Sequence, residues 1–326
     1  MISRTKYLVD DETVRRLFQD AGLGAAEAVT PLGAGEFNAV YSVSAGGKEY
    51  ALKIAPAPDC PVLRYETSMM RAEVFWYEQI RQHTEIRVPE VYFTDFSRTK
   101  LPADYFIMEK LDGVPMDKME FSKAEREDAD GQTAVLAAQV HGIAGEQFGY
   151  VQNELYPDWY TAIRAMTKNL LDDCARVNKR SRRGEKLLAL IDRHKAVLEK
   201  APCTMVNFDL CPPNILCRRE KDGIHYAWID PERSFWGDKI LDFVCLDATH
   251  PLEKKTGVLA AYNAAAKTPV TATREEQIRY AVGQGYLALI VEAEKYYRYT
   301  PHHFGWWRNV TAALYLYADA FRVLRK

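Results

Sequence analysis

The chain has 326 residues, more than one hydrophobic core ordinarily serves, so two lobes or domains are expected. Hydrophobic residues make up 48% and charged residues 27%, an ordinary globular balance, and the formal net charge of −2 gives no electrostatic basis for nucleic-acid binding. The longest apolar runs are too short to span a bilayer, Met1 to Asp10 lack a signal-peptide pattern, and the cysteines form no CxxC pair, which together point to a reduced, cytoplasmic chain.

From Asp10 to Ala21, Val14, Leu17 and Phe18 share one helical face and Gly22 and Gly24 follow, which predicts a short amphipathic helix lying as a lid on the next elements. Strands are expected over 28–32, 39–44 and 49–54, the last two joined as a hairpin through Ala45-Gly46-Gly47-Lys48. Residues 66–83 set Met70, Glu73, Val74, Tyr77 and Ile80 at helical spacing, and 88–93 and 104–108 return to strand.

After Leu111-Asp112-Gly113-Val114-Pro115 the texture turns helical. Ser122 and Glu125 form a capping box that opens a helix running to about Gly145, and 158–177 and 184–199 read as two more. A hairpin over 215–219 and 224–229 follows, and 238–326 is mainly helical. The expectation is an α+β protein with a nucleotide-binding lobe over 1–110, an antiparallel sheet with one main helix, and a mainly helical lobe over 111–326 that carries the catalytic loop and acceptor site.

The chemistry is concentrated in Asn207-Phe208-Asp209-Leu210-Cys211-Pro212-Pro213-Asn214 and, past the hairpin, in Trp228-Ile229-Asp230-Pro231. Asp209 precedes Asn214 by five residues, the D-x-x-x-x-N spacing of a kinase catalytic loop, and Asp230 ends a strand able to fold back over it. Phosphoryl transfer needs such a set: a carboxylate to orient the attacking hydroxyl, and oxygen ligands for the metal that offsets phosphate charge. The same residues also suit a plain turn, with Asp209 and Asn214 capping around the prolines.

Upstream, Leu32-Gly33-Ala34-Gly35-Glu36-Phe37-Asn38 joins two strands, and Gly33 and Gly35 would let a phosphate approach the backbone, although any hairpin turn can hold two glycines. Lys53 lies amid apolar neighbours on the third strand and either snorkels outward or turns toward an anion. Glu73, 20 residues on, is its expected partner, with Glu66 and Glu78 as rivals. Glu73 is preferred because Tyr77 and Ile80 follow it at helical intervals. At the crossing between lobes the backbone groups of Glu109 and Leu111 could bind an adenine edge, or simply form a linker.

Other features read more plainly. The basic run Lys179-Arg180-Ser181-Arg182-Arg183 reads as a solvated turn. Tyr296, Tyr297, Tyr299, Trp306, Trp307, Tyr315 and Tyr317 either pack helices or stack a ligand, and the adjacent His302 and His303 diverge too far to form a metal site alone. Cys211 lies between the two loop residues as a candidate for thiol reagents, with no catalytic need for it.

Taken together, the Gly33 to Asn38 turn with Val40-Tyr41, the Lys53 strand, the Glu73 helix ahead of Val88-Pro89, the Met108-Glu109 crossing, Leu136 to His141, the catalytic loop, and Ile229-Asp230-Pro231 with Gly237, Asp238 and Asp242 resemble the aminoglycoside phosphotransferase and choline kinase family. The resemblance covers nearly the whole chain. It implies the bilobal protein-kinase-like fold and an ATP-dependent phosphotransferase acting on a hydroxyl of a small molecule, such as an antibiotic, a sugar or an amino alcohol. By the same resemblance Asp209 is the base, Asn214 and Asp230 bind Mg2+, Lys53 meets the α/β-phosphates of ATP or GTP with Glu73 as partner, and Asp242 braces the loop.

Two departures from the family stand out. Asn207 takes the place of the usual histidine, beside Phe208 in place of a small residue, and the basic end Arg322 to Lys326 argues against a polycationic acceptor. Only 11 residues separate Asp230 from Asp242, which leaves no room for the activation segment of a protein kinase. The competing expectation is a catalytically silent nucleotide-binding regulatory protein of the same fold.

Overall fold

A computed structural model describes residues 5–32, 37–247 and 250–326. The first helix, α1 (Asp11–Asp20), begins where the Asp10 side chain accepts the Thr13 N–H, and it buries Val14, Leu17 and Phe18 as its periodicity predicts. Beneath it lies an antiparallel five-stranded sheet in the order β1 (Ala26–Leu32), β2 (Ala39–Ala45), β3 (Lys48–Ile54), β5 (Tyr105–Glu109), β4 (Val91–Asp95).

The alternation along these strands creates two faces. Tyr50, Leu52 and Ile54 of β3, with Tyr105 and Ile107 of β5, join the core under α1. Ala51 on β3, with Phe106 and Met108 on β5, faces the opposite way, against Trp76, Tyr77 and Ile80 of α2 (Met69–His83). Lys53 pairs in register with Phe106 and therefore shares this second face. Strand parity thus carries the lysine inward.

The second part of the chain is helical, with small strands at its upper edge. The strand β6 (Val114–Pro115) pairs with β8 (Ile215–Glu220), which forms a hairpin with β9 (Gly223–Trp228), and β7 (Thr204–Val206) pairs with β10 (Phe235–Gly237). The helices are α3 (Lys123–Val140), α4 (Trp159–Arg176), α5 (Arg182–Arg193), α6 (Lys195–Leu198), α7 (Asp242–Leu246), α8 (Thr256–Ala265), α9 (Arg274–Arg298) and α10 (Phe304–Leu324). Their core is continuous with the α2 face of the sheet. The chain has the protein-kinase-like fold, an N-terminal antiparallel sheet followed by a helical part.

Several expected boundaries shift for identifiable reasons. The helix expected from residue 66 starts at Met69, because Arg64–Glu66 forms a separate 3-10 turn and Ser68 is left-handed at φ 58°. The strand expected from Val88 starts at Val91, since Pro89 has no N–H for the ladder; Arg87 instead accepts the Trp228 N–H. The helix opened by the Ser122 and Glu125 capping box ends at Val140 rather than near Gly145. Residues 184–199 are two helices, broken at His194, whose ring nitrogen bonds the Leu324 carbonyl at 2.9 Å.

The aromatic cluster mostly joins the last two helices. Tyr296 meets Trp306 edge to face with centroids 5.5 Å apart, and Tyr317 is buried, while Trp307 and Tyr315 face solvent. The basic run reads as a surface turn: Ser181 caps α5, and Arg180 pairs with Glu185. His303 caps α10 by accepting the Gly305 N–H at 3.0 Å, and its ring stacks on Tyr299.

Candidate active site

The inward Lys53 meets three carboxylates. Its Nζ lies 2.7 Å from Glu73 Oε2, 2.6 Å from Asp230 Oδ1 and 3.0 Å from Glu232 Oε2. Of the three candidate partners named by sequence, Glu73 is the one that pairs. Glu66 sits on the 3-10 turn and pairs with Arg298, and Glu78 accepts from Gln82. The helical spacing explains this, because Glu73, Trp76, Tyr77 and Ile80 form one buried face of α2 toward β3.

Tyr77 on that face also accepts the Asp230 N–H at 2.9 Å, which fixes the end of the β9 segment against α2. Asp230 is left-handed, at φ 66°, a conformation aspartate tolerates better than most residues and one that recurs at functional positions. The Glu232 carboxylate accepts in addition from Asn38 Nδ2 at 2.7 Å, so it links the residue just before β2 to the turn after Asp230.

The catalytic loop follows β7. Asn207 is fully buried: its Oδ1 accepts the Asp209 N–H at 3.0 Å, and its Nδ2 donates to Ser234 Oγ at 3.2 Å. One end of the amide is therefore engaged within the loop and the other with the segment after Asp230. Asp242, at the start of α7, accepts the Asn207 N–H at 3.0 Å and the Phe208 N–H at 2.6 Å, and the His141 ring at the end of α3 bonds the same carboxylate at 3.0 Å. The sequence feature of a helix ending in Leu136 to His141 thus meets the loop through Asp242.

Phe208 is left-handed at φ 59°, an uncommon state for a bulky residue, costing on the order of 1–3 kcal/mol. The two Asp242 bonds and the packing of its ring against Phe235 and Tyr286 hold it there.

Asn214 turns its amide NH2 to the Asp209 carbonyl at 3.0 Å, and its own carbonyl accepts the Ile229 N–H at 2.9 Å. That backbone bond sets Asn214 beside Asp230. On the other side of Asp209, Arg233 Nε lies 3.7 Å from Asp209 Oδ2, and its second nitrogen lies 2.7 Å from Glu294 Oε1 on α9. Arg298 pairs with both Glu66 and Glu294, and Tyr65 Oη donates to Glu294 at 3.2 Å.

Electrostatics separates the two groups. Burial pushes Glu73 up to about 8 and Glu232 up to about 7, since Lys53 cannot fully compensate three carboxylates. Burial works to depress Lys53, but Asp230, Glu232 and Glu73 outweigh it and hold the ammonium charged. Glu294 is the opposite case: burial would raise it, and Arg298 and Arg233 keep it below the usual carboxylate value. Asp209 is raised to about 6 by burial, against the pull of Arg233. Its side chain keeps 38% exposure, so water damps that shift.

The Asp230 carboxylate and the Asn214 amide oxygen are the kind of donors that suit a hard divalent cation such as magnesium. Donor atoms of Glu73, Asp230 and Glu232 also lie within 4.8 Å of one another, but there the Lys53 ammonium is the cation they hold. Glu73 Oε1 is buried with no hydrogen-bond partner among the described residues. Asn214, with its NH2 committed to Asp209, would meet a cation through its carbonyl oxygen.

The model of the phosphotransferase enzyme family matches residues 28–277. The chain belongs to the phosphotransferase enzyme family. It is a small-molecule kinase enzyme. No curated protein matches it by sequence.

Among solved structures, a Thermobifida fusca protein provisionally described as a fructosamine-3-kinase is 20% identical, with a TM-score of 0.66, covering 97% of this chain and 100% of its own. A Ralstonia eutropha protein provisionally described as an aminoglycoside phosphotransferase is 12% identical, with a TM-score of 0.66 and 97% and 98% coverage. The APH(2″)-IIa ternary complex with streptomycin and ATP is 17% identical, with a TM-score of 0.61 and 97% and 99% coverage. At these identities the likeness concerns the fold.

Within this phosphotransferase the expected residues divide into those brought together and those not. Lys53, Glu73 and Asp230 converge on one point, and Asp209 and Asn214 are joined to it through Ile229. Gly33 and Gly35 lie outside the described residues. Glu109 gives its N–H to the Glu90 carbonyl at 2.7 Å, so only its carbonyl could serve an adenine, and its side chain pairs with Arg87. Leu111 lies two residues beyond the strand end.

Sequence reasoning missed Glu232, Arg233 and Glu294. A charged pair two and three residues past Asp230 was the one available signal.

Proposed function

We propose that this phosphotransferase moves the γ-phosphoryl group of ATP or GTP to a hydroxyl of a small molecule, with Asp209 as base. Residues 1–110 and 111–326 form the two lobes in this reading, with the acceptor site in the second. The hydroxyl oxygen forms the new bond to the γ-phosphorus, Asp209 takes its proton, the bridging bond to the β-phosphate breaks, and the nucleoside diphosphate leaves. Lys53, held by Glu73, contacts the α/β-phosphates; the turn with Gly33 and Gly35 covers them; backbone groups of Glu109 and Leu111 take the base. Asn214 and Asp230 hold Mg2+, which when bound offsets phosphate charge.

The observation that carries this reading is the convergence of Lys53, Glu73 and Asp230, with Asn214 tied to Ile229 and Asp209. The names of structural relatives suggest aminoglycosides and fructosamines as acceptor classes. Here the side of Asp209 formed by Arg233, Glu294, Arg298 and Glu66 is charge-balanced rather than rich in free carboxylate. That favours a sugar-like hydroxyl compound over a polycation.

Release of ADP, measured across a panel of aminoglycosides, other antibiotics, sugars and amino alcohols, is expected to respond to a member of the panel. Asp209→Ala should abolish that response and leave ADP binding within about twofold, since a positioned base contributes roughly 100- to 10,000-fold. Unchanged turnover in the variant would refute the mechanism, and a flat response to every acceptor would favour the catalytically silent reading.

A further inference from the structure

An ammonium group has three hydrogens to donate. In Lys53 all three are matched by carboxylates, at 2.7 Å to Glu73, 2.6 Å to Asp230 and 3.0 Å to Glu232. No donor of Lys53 is left for a phosphate in this arrangement. A nucleotide can gain the lysine only if a carboxylate gives way.

The three are not equivalent. Glu73 is wholly buried on α2, and Asp230 is held through its backbone by Tyr77. Glu232 reaches the lysine from the end of a longer side chain and uses the same oxygen, Oε2, to accept from Asn38 Nδ2 at 2.7 Å. Asn38 directly precedes β2 and stands 194 residues from Glu232 in sequence. One carboxylate thus occupies a donor of Lys53, the proposed phosphate contact, and a donor of Asn38, and it ties the sheet to the helical part.

We propose that Glu232 is a latch: its carboxylate stands where nucleotide phosphate oxygens would go, binds Lys53 and Asn38 in their absence, and is displaced when nucleotide enters. The inference rests on the phosphotransferase reading of the cleft and adds to it a positioning residue that competes with the nucleotide. Because a phosphate and a carboxylate are both anionic acceptors, they cannot share these donors without close like-charge contact. The latch keeps Lys53 aimed into the cleft in the empty enzyme, at the expense of nucleotide affinity.

The test is calorimetric titration of ADP into the full-length enzyme, in EDTA and again with magnesium. In EDTA, Glu232→Gln and Glu232→Ala should each bind ADP roughly tenfold tighter than wild type, equivalent to about 1.4 kcal/mol. In a Lys53→Met background, Glu232→Gln should gain no more than about twofold, because the contested donor is gone.

Equal or weaker ADP binding in EDTA by both Glu232 variants, with circular dichroism like wild type, would overturn the latch and leave the phosphotransferase reading standing. The same gain with Lys53→Met as without it would also overturn it. Absence of ADP binding by wild type under both conditions would overturn both.

Discussion

Lys53 faces Glu73, Asp230 and Glu232, whereas Arg233 and Arg298 face Glu66 and Glu294 with Asp209 at the margin. Both groups are drawn from the same few residue types and both are largely buried. The first has an excess of carboxylate and the second nearly balances. A buried cluster with surplus negative charge is held together by what it can still bind, a proton or a cation, while a balanced cluster can stand as a permanent wall. The difference separates a part of the cleft built to exchange partners from a part built to stay.

The largest expected effect would break the balanced side. Glu294→Gln leaves Arg233 and Arg298 short of a shared anion in a site where their side chains are 17% and 8% exposed. Removing one member of a buried ionic set costs roughly 3–5 kcal/mol, and urea denaturation should register a loss of that size. Glu232→Gln, on the side with surplus carboxylate, should cost no more than about 1 kcal/mol, since Glu73 and Asp230 still hold Lys53. Equal losses in the two variants would remove the distinction between the clusters.

Next in size is the brace under the base. Asp242→Ala strands the Asn207 and Phe208 N–H groups and the His141 ring, all buried. Those groups lose their charged acceptor, and the left-handed Phe208 loses what holds it. Turnover should fall further than ADP affinity, because the loop is displaced while the Lys53 cluster is not. A variant that loses ADP binding and keeps turnover per bound nucleotide would contradict this.

The pH profile addresses Asp209 itself. Its folded pKa is raised to about 6, chiefly by burial and partly by Asp230 and Glu294, with Arg233 opposing. A base must be deprotonated, so kcat/KM should be flat above about pH 6 and fall tenfold per unit below it. Arg233→Met removes the nearest cation and should shift the acid limb to higher pH. A limb unmoved by that change would show that the balanced wall does not act on the base.

The elements legible in sequence are those set by short-range periodicity. The pairing of Lys53 with Glu73 follows from a strand period and a helical period, and Asp209 and Asn214 share one loop. The hydrogen-bonding capacity of Asn207 was likewise readable from its amide. What escaped is non-local. Arg233 meets Glu294 across 61 residues and Arg298 meets Glu66 across 232, and neither partner carries a local pattern. Glu232 was closer at hand, beside Asp230, but its second bond, to Asn38, depends on how the sheet sits over the helical part.

The smallest expected effect concerns the thiol beside the base. Cys211 Sγ lies 3.8 Å from Asp209 Oδ1, a weak contact next to the ionic one from Arg233. Burial pushes the thiol up to about 12, with the Asp209 carboxylate adding to the shift, so almost no thiolate is present at neutral pH. Cys211→Ser keeps a donor of similar size, and kcat/KM should stay within about twofold while labelling by N-ethylmaleimide at this position is slow in the wild type. If the serine variant instead lost more than tenfold in kcat/KM with ADP affinity unchanged, the S–H would be orienting Asp209. The base would then depend on its own loop rather than on the Arg233 wall.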